Sequence, residues 1–239
     1  MKWAAVIVAA GRGTRFGRPK QLIDLAGLPM VGWSIRTFAS MEEVHELVVA
    51  TEPESIAPIE ALAARLVRKC AVRVVRGGAT RQQSVHAGLG AISEACDAVL
   101  VHDGARPLVT VDDVRAGMRE VRAGRAALLA APVVDTIKQV ENDSLRVVAT
   151  PERRRLWAAQ TPQFARTAEL RAAHERALRD GAEVTDDAAL LEREGITVTI
   201  VPATSDNFKI THAEDIARAA ALLEKHAGEV PCHPELVEG

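Results

Sequence analysis

Apolar positions recur along this chain with two alternating periods. Short runs of Val, Ile, Leu and Ala mark strands. Between them, apolar residues spaced three and four apart mark helices. The run that ends in Ala9-Ala10 is rich in Val and Ile and reads as a buried parallel strand. Leu22–Leu28 is a short connection containing Gly27, and Pro29 opens a helix through about Ala39. Glu46–Thr51 is a second strand, Pro53 to about Arg68 is mostly helical, and Val72–Arg76 is a third strand. Val85, Leu89 and Ile92 mark a helix within 81–95, and Ala98–Val101 is a fourth strand. Thr110 with Asp113 caps another helix, and Ala127–Ala131 is a fifth strand. Such alternation implies an α/β fold, a mainly parallel sheet with helices on both faces.

The rhythm then breaks. Val133–Val140 and Leu145–Thr150 are strand-like runs joined by the turn Glu141-Asn142-Asp143-Ser144. This predicts a hairpin arm at about 133–157. Its half-polar sequence predicts that it projects from the sheet and finds its partner in a second subunit, a homodimer. Thr167 is expected to cap a helix to about Asp180, and Thr185 a short one over Ala188–Glu194. Ile196–Val201 is a strand. Thr211-His212-Ala213-Glu214 has the capping-box pattern and opens a last helix to about His226. No repeat or linker divides the chain, so residues 1–226 are expected to form one domain, with a frayed tail over 227–239.

Charge changes the picture only locally. The chain has 239 residues and a formal net charge of −2, which gives no global field for nucleic acid. No segment is long and apolar enough to cross a membrane. The cysteines Cys70, Cys96 and Cys232 show no paired or metal-type spacing, which fits a reducing compartment. Cys232-His233 is half a metal site at most, and a solvated tail is the simpler reading. Lys2 and the short apolar run resemble a signal peptide, but the run leads directly into a loop that makes sense only if retained. The expectation is a cytoplasmic protein.

That loop is the main chemical signal. Gly11, Gly13 and Gly17 let the backbone turn its N–H groups onto a ligand, and Arg12, Arg15, Arg18 and Lys20 place up to four positive charges on the same stretch. Glycines and cations after a first strand point to a highly charged phosphate. A dinucleotide fingerprint needs its third glycine one residue earlier and an acid about 20 residues on; the nearest acid at a second-strand end, Glu52, stands much further away. A Walker loop is excluded because no Gly-Lys-Ser/Thr follows. Two further loops fall at strand carboxyl ends, where open parallel sheets bind ligands. One is Gly77-Gly78-Ala79-Thr80-Arg81-Gln82-Gln83-Ser84. The other is His102-Asp103-Gly104-Ala105-Arg106-Pro107.

The first loop, in the form Ala-Ala-Gly-x-Gly-x-Arg-x-Gly-x-Pro-Lys-Gln, resembles that of the sugar nucleotidyltransferases, and more closely the 2-C-methyl-D-erythritol 4-phosphate cytidylyltransferase family of non-mevalonate isoprenoid synthesis. The likeness runs from about Ala4 to Lys209. It implies a Rossmann-like nucleotidyltransferase sheet and transfer of CMP from CTP to a sugar-alcohol phosphate. It implies Ala10, Gly11, Gly13, Gly78 and Ser84 around CTP, the last two within the Gly-Gly-x-x-Arg-x-x-Ser-Val pattern. Arg15, Lys20 and Lys209 are implied at the phosphates. Asp103 and Asp206 are implied at Mg2+, which takes oxygen ligands from carboxylates and phosphates. Arg106 and Thr161, the latter in Thr-Pro-Gln, are implied beside the acceptor. Thr136 and Arg153 are implied to reach a neighbouring subunit's acceptor pocket from the arm, where Lys138 also stands. Thr185-Asp186-Asp187-Ala188 matches a further family element and reads as capping. Where some members carry an acid after Gly-Gly, Ala79 stands, so no ribose contact is assigned to that position. His102, at a strand end, reads as a loop-orienting residue. Other readings stay open at this point: a relative acting on ribitol 5-phosphate or another sugar phosphate, a non-catalytic nucleotide-binding regulator, and an NAD(P)-dependent oxidoreductase.

Overall fold

A computed structural model describes residues 1–11 and 19–229, the last four by their backbone alone. Strand β1 (Trp3–Ala9) lies in the middle of the main sheet, and its period-two side chains feed two cores. Trp3, Ala5, Ile7 and Ala9 pack on one face, Ala4 and Val6 on the other. This double burial is why the run is apolar throughout. The short strands β2 (Asp24–Leu25) and β3 (Leu28–Pro29) pair with each other and lead into α1 (Met30–Ala39). Then come β4 (Val44–Thr51), α2 (Ile56–Leu66), β5 (Ala71–Arg76), α3 (Arg81–Gly90), β6 (Ala98–Asp103), α4 (Val111–Arg122) and β7 (Ala126–Pro132). The first core sits under α1, α2 and α4; the second lies under α3 and the first two helices that follow the arm.

Beyond the arm the chain forms β10 (Trp157–Arg166), α5 (Thr167–Asp180), α6 (Asp187–Arg193), β11 (Val198–Pro202) and α7 (Ala213–Glu229), after the two arm strands β8 (Gln139–Val140) and β9 (Val147–Ala149). The seven-stranded sheet has the order β11-β7-β10-β6-β1-β4-β5. All neighbours are parallel except β10, which runs antiparallel between β6 and β7. The sequence pattern did not predict β10. Its Gln160, Thr161 and Gln163 are polar yet buried, and Pro162 interrupts it. Its pairing with β7 breaks between Ala159 and Gln163, which is the bulge that admits a proline.

Several local expectations need correction. The arm ladder is shorter than the strand-like runs, and only β8 and β9 pair there. Val134, Ile137, Val140, Leu145, Val147 and Val148 remain exposed. Thr167 is the first residue of α5, not its cap, and Asp186, not Thr185, accepts the Ala189 N–H at the head of α6. At α7 the reciprocal box is replaced by one acid: the Asp215 carboxylate accepts from the N–H groups of Thr211 and His212. Thr110 does cap α4, accepting the Asp113 N–H at 3.1 Å. A third cluster, Leu25, Met30, Trp33, Leu108, Ile210 and Leu223, seats α7 against α1 and fixes the segment just before it.

Candidate active site

Because β1, β4, β5, β6, β7 and β11 run the same way, their carboxyl ends share one edge. A cleft of about 570 Å³ opens there. Val8, Ala10, Gly11, Lys20, Glu52, Gly77, Gly78, Arg81, Ser84, Asp103 and Lys209 are among the residues that line it. The loop after β5 needs its glycines for closeness. A Cβ on Gly77 would overlap the Ala10 side chain, and one on Gly78 would overlap Gln83. Ser84 holds the loop's shape: its Oγ accepts the Gly78 N–H at 3.0 Å and donates to the Thr80 carbonyl at 2.9 Å.

A chain of polar contacts runs from the cleft floor into the interior. Lys209 Nζ lies 2.8 Å from one Asp103 oxygen, and Arg81 Nε lies 3.0 Å from the other. Arg81 Nη1 reaches Asp187 at 2.8 Å, and His174 Nε2 meets the second Asp187 oxygen at 3.0 Å. Burial works against the charge of Asp103, yet Arg81 and Lys209 hold its carboxyl far below the usual carboxylate range. Burial likewise opposes Asp187, and Arg81 and His174 keep it ionised. Burial would lower the Arg81 guanidinium, but Asp187 and Asp103 more than offset it. Arg81 and Asp187 were not singled out for this chemistry, although both stand inside quoted motifs. Asp187 was read as part of a cap; it is a counter-ion only 2% exposed.

Beneath Asp103 runs a neutral chain. Its backbone N–H donates to Thr161 Oγ1 at 3.0 Å, and Thr161 meets His102 Nδ1 at 3.1 Å. His102 Nε2 lies 3.0 Å from the Arg106 carbonyl. Since that carbonyl only accepts, the proton sits on Nε2 and Thr161 donates to Nδ1. His102 therefore orients the loop. Burial, with the Arg106 carbonyl and the Asp103 charge opposing, pushes its imidazole down to about 4. The sign follows from linkage. Between about 4 and the ordinary 6.5 the unfolded chain binds the proton and the native one does not, so stability is complete above the unfolded value and is lost as pH falls. The expected loss from pH 7 to 4 is about 3 kcal/mol at this residue. Urea midpoints across that interval check it. A His102→Gln chain should lose less, and an equal loss would remove His102 as the origin.

The other expected residues divide. Lys20 reaches the Ile210 carbonyl at 3.2 Å and lines the cleft with Ala10, Gly11, Gly78 and Ser84. Arg106 stands behind the cleft, clamping the Asn207 carbonyl at 2.7 Å. Thr136 and Arg153 lie exposed in the arm, where Arg153 donates to the Val134 carbonyl at 2.7 Å and Lys138 to Thr150 at 2.9 Å. Gly13 and Arg15 lie outside the described residues. Of the two acids expected at a metal, Asp103 is an ionised oxygen donor in the cleft and suits Mg2+. Asp206 is not among the cleft-lining residues; its carboxylate faces Arg218 at 3.4 Å. Among the described residues no three His, Cys, Asp or Glu side chains gather as a ready-made metal site.

Comparison with known proteins gives a consistent answer. The model of the 2-C-methyl-D-erythritol 4-phosphate cytidylyltransferase family, IspD, matches residues 3–225. The curated protein of that name from Caldanaerobacter subterraneus is 38% identical over 228 residues, covering 94% of this chain and 100% of the relative. The Streptomyces coelicolor protein of that name is 44% identical over 232 residues, covering 93% and 85%. The crystal structure of 4-diphosphocytidyl-2C-methyl-D-erythritol synthase from Anaerococcus prevotii superposes with a TM-score of 0.84 at 28% identity, covering 93% of this chain and 98% of the other.

Proposed function

Because the chain belongs to the 2-C-methyl-D-erythritol 4-phosphate cytidylyltransferase family, we propose that it transfers CMP from CTP to 2-C-methyl-D-erythritol 4-phosphate, a step of non-mevalonate isoprenoid biosynthesis. The observation that carries this reading is the convergence of Lys20, Arg81, Asp103 and Lys209 with a close-set glycine loop in one cleft. An oxygen of the acceptor phosphate attacks the α-phosphorus of CTP. The bond from that phosphorus to the β-phosphate bridging oxygen breaks, and pyrophosphate leaves with the electron pair. A phosphate monoester with a second pKa of about 6 is already largely dianionic at neutral pH, so no general base is needed. His102, buried and neutral, takes no proton in this scheme. The task is to bring two anions together, and fixed cations and position supply the rate.

Lys20 and Arg15 grip the triphosphate, and Lys209 faces the incoming phosphate from its seat on Asp103. Arg106 and Thr161 act at the acceptor end: Arg106 braces the segment that carries Lys209, and Thr161 fixes the Asp103 backbone. Mg2+, when bound with the nucleotide, neutralises triphosphate charge; Asp103 would hold it, and Asp206 would join only by releasing Arg218. Pyrophosphate release tests the reading, with CTP, UTP, ATP and GTP each offered against the erythritol phosphate and ribitol 5-phosphate. Release with CTP and the erythritol phosphate alone is expected. Release with ribitol 5-phosphate instead would move the acceptor, and silence in every pairing would overturn the reading.

The exposed apolar side chains of the arm favour a homodimer in which the arm of one subunit covers the other. Thr136 and Arg153 then complete the neighbour's acceptor pocket. Dimers mixed from Lys20→Ala and Arg153→Ala subunits should regain activity that neither parent has, because one site of each mixed dimer keeps both residues. No rescue in verified heterodimers would contradict an arm that acts in trans. The free thiols Cys70 and Cys96 suit the cytoplasm as its compartment.

A further inference from the structure

Glu52 stands just past the carboxyl end of β4, the strand paired to β1 on the side away from β6. It lines the same cleft as Ala10, Gly11, Gly77 and Gly78. Among the described residues its carboxylate makes no hydrogen bond and no ion pair. It heads the turn Pro53–Ser55, yet its side chain gives no cap to that turn. Its neighbour Thr51, by contrast, is tied to the Ala9 carbonyl at 3.3 Å. A half-buried acid with nothing to hold, in a cleft built for anions, calls for a partner.

The sheet order supplies one. Asp103 ends β6, two strands from β4, which separates the two acids by about 10 Å at the usual strand spacing. The cleft therefore has a strongly cationic end over β1 and β6, with Lys20, Arg81 and Lys209, and a second end over β4 and β5 where Glu52 and the exposed Arg76 stand beside the glycine loop. Phosphates belong at the first end, so the nucleoside lies at the second. A carboxylate only accepts hydrogen bonds, and it repels phosphate. Its fitting partner is a neutral pair of donors, and a vicinal diol presents two hydroxyls to its two oxygens. Dinucleotide-binding α/β sheets, whose glycine fingerprint this chain lacks, use an acid at the end of the strand beside the first for this purpose. In this chain the intervening helix makes that acid distant in sequence while the sheet makes it adjacent in space.

We infer that the Glu52 carboxylate accepts hydrogen bonds from the ribose hydroxyls of CTP and makes the enzyme prefer ribonucleotide to 2′-deoxyribonucleotide. The inference rests on the cytidylyl-transfer reading above. The test is kcat/KM for CTP and for 2′-deoxy-CTP, read by pyrophosphate release in the wild type, in Glu52→Ala and in Glu52→Gln, which keeps the shape and removes the charge. The wild type should favour CTP by about 10- to 100-fold, the size of a hydrogen bond to a charged group. Both variants should lose most of that preference, through a KM that rises more for CTP than for 2′-deoxy-CTP, which keeps only its 3′-hydroxyl as a donor to Glu52. Thermal midpoints close to wild type verify folding, and Glu52→Gln decides the matter if Glu52→Ala is unstable. An unchanged preference, or an equal fall for both nucleotides, would overturn the assignment. So would a variant whose CTP-to-UTP preference collapses instead, since Glu52 would then read the cytosine amino group. A wild type silent with both nucleotides would overturn the cytidylyl-transfer reading and this inference with it.

Discussion

Lys20→Ala is expected to lower kcat by about 10²- to 10³-fold, the usual cost of removing one fixed donor from charge that develops in a transition state. Lys20 opens the short turn Lys20–Leu22 at the mouth of the cleft, with its ammonium 3.2 Å from the Ile210 carbonyl. That contact is part-buried, and its loss costs about 1 kcal/mol of stability. Turnover and folding should therefore separate widely in this variant. Steady-state kinetics beside a thermal melt measure both. Near-normal turnover would take Lys20 out of the mechanism.

Arg81→Ala should produce the largest loss of stability, about 3 kcal/mol, because it strands a buried carboxylate. Asp187 is 2% exposed and would keep only His174 as a partner. Asp103 would at the same time lose its hold on one oxygen. For a chain of this length the melting point should fall by roughly 6–12 °C. Adding Asp187→Asn to Arg81→Ala should recover much of that stability, since the stranded charge is gone. It should not recover turnover, since Asp103 still lacks its second cation. Two losses that simply add in the double variant would contradict a shared network.

The parts of the fold that carry a strong local signal were legible in the chain itself. Apolar runs such as 3–9 and 98–101 are strands because both their faces are buried, and their loops stand out by glycine and charge. The strand β10 was not legible. Gln160, Thr161 and Gln163 look like a loop until β6 and β7 flank them and their hydrogen bonds are met by Asn207, His102 and Asp186. The site divides for the same reason. Asp103 and Lys209 could be read from their motifs, but the pairing of Arg81 with Asp187 joins residues 106 positions apart. Nothing local distinguishes Asp187, which is buried, from Asp186, which caps a helix. The glycines of 77–78 stood out as part of a CTP-binding pattern, and the structure adds that they let two loops touch.

The central claim is that this chain joins the acceptor phosphate to the α-phosphorus of CTP. Phosphorus NMR of the enzyme with CTP, Mg2+ and 2-C-methyl-D-erythritol 4-phosphate tests it most directly. The account predicts that the monoester and triphosphate signals decline together while a new diphosphate diester and free pyrophosphate appear in equal amounts. Persistence of both substrates with folded enzyme, or pyrophosphate without the diester, would contradict it.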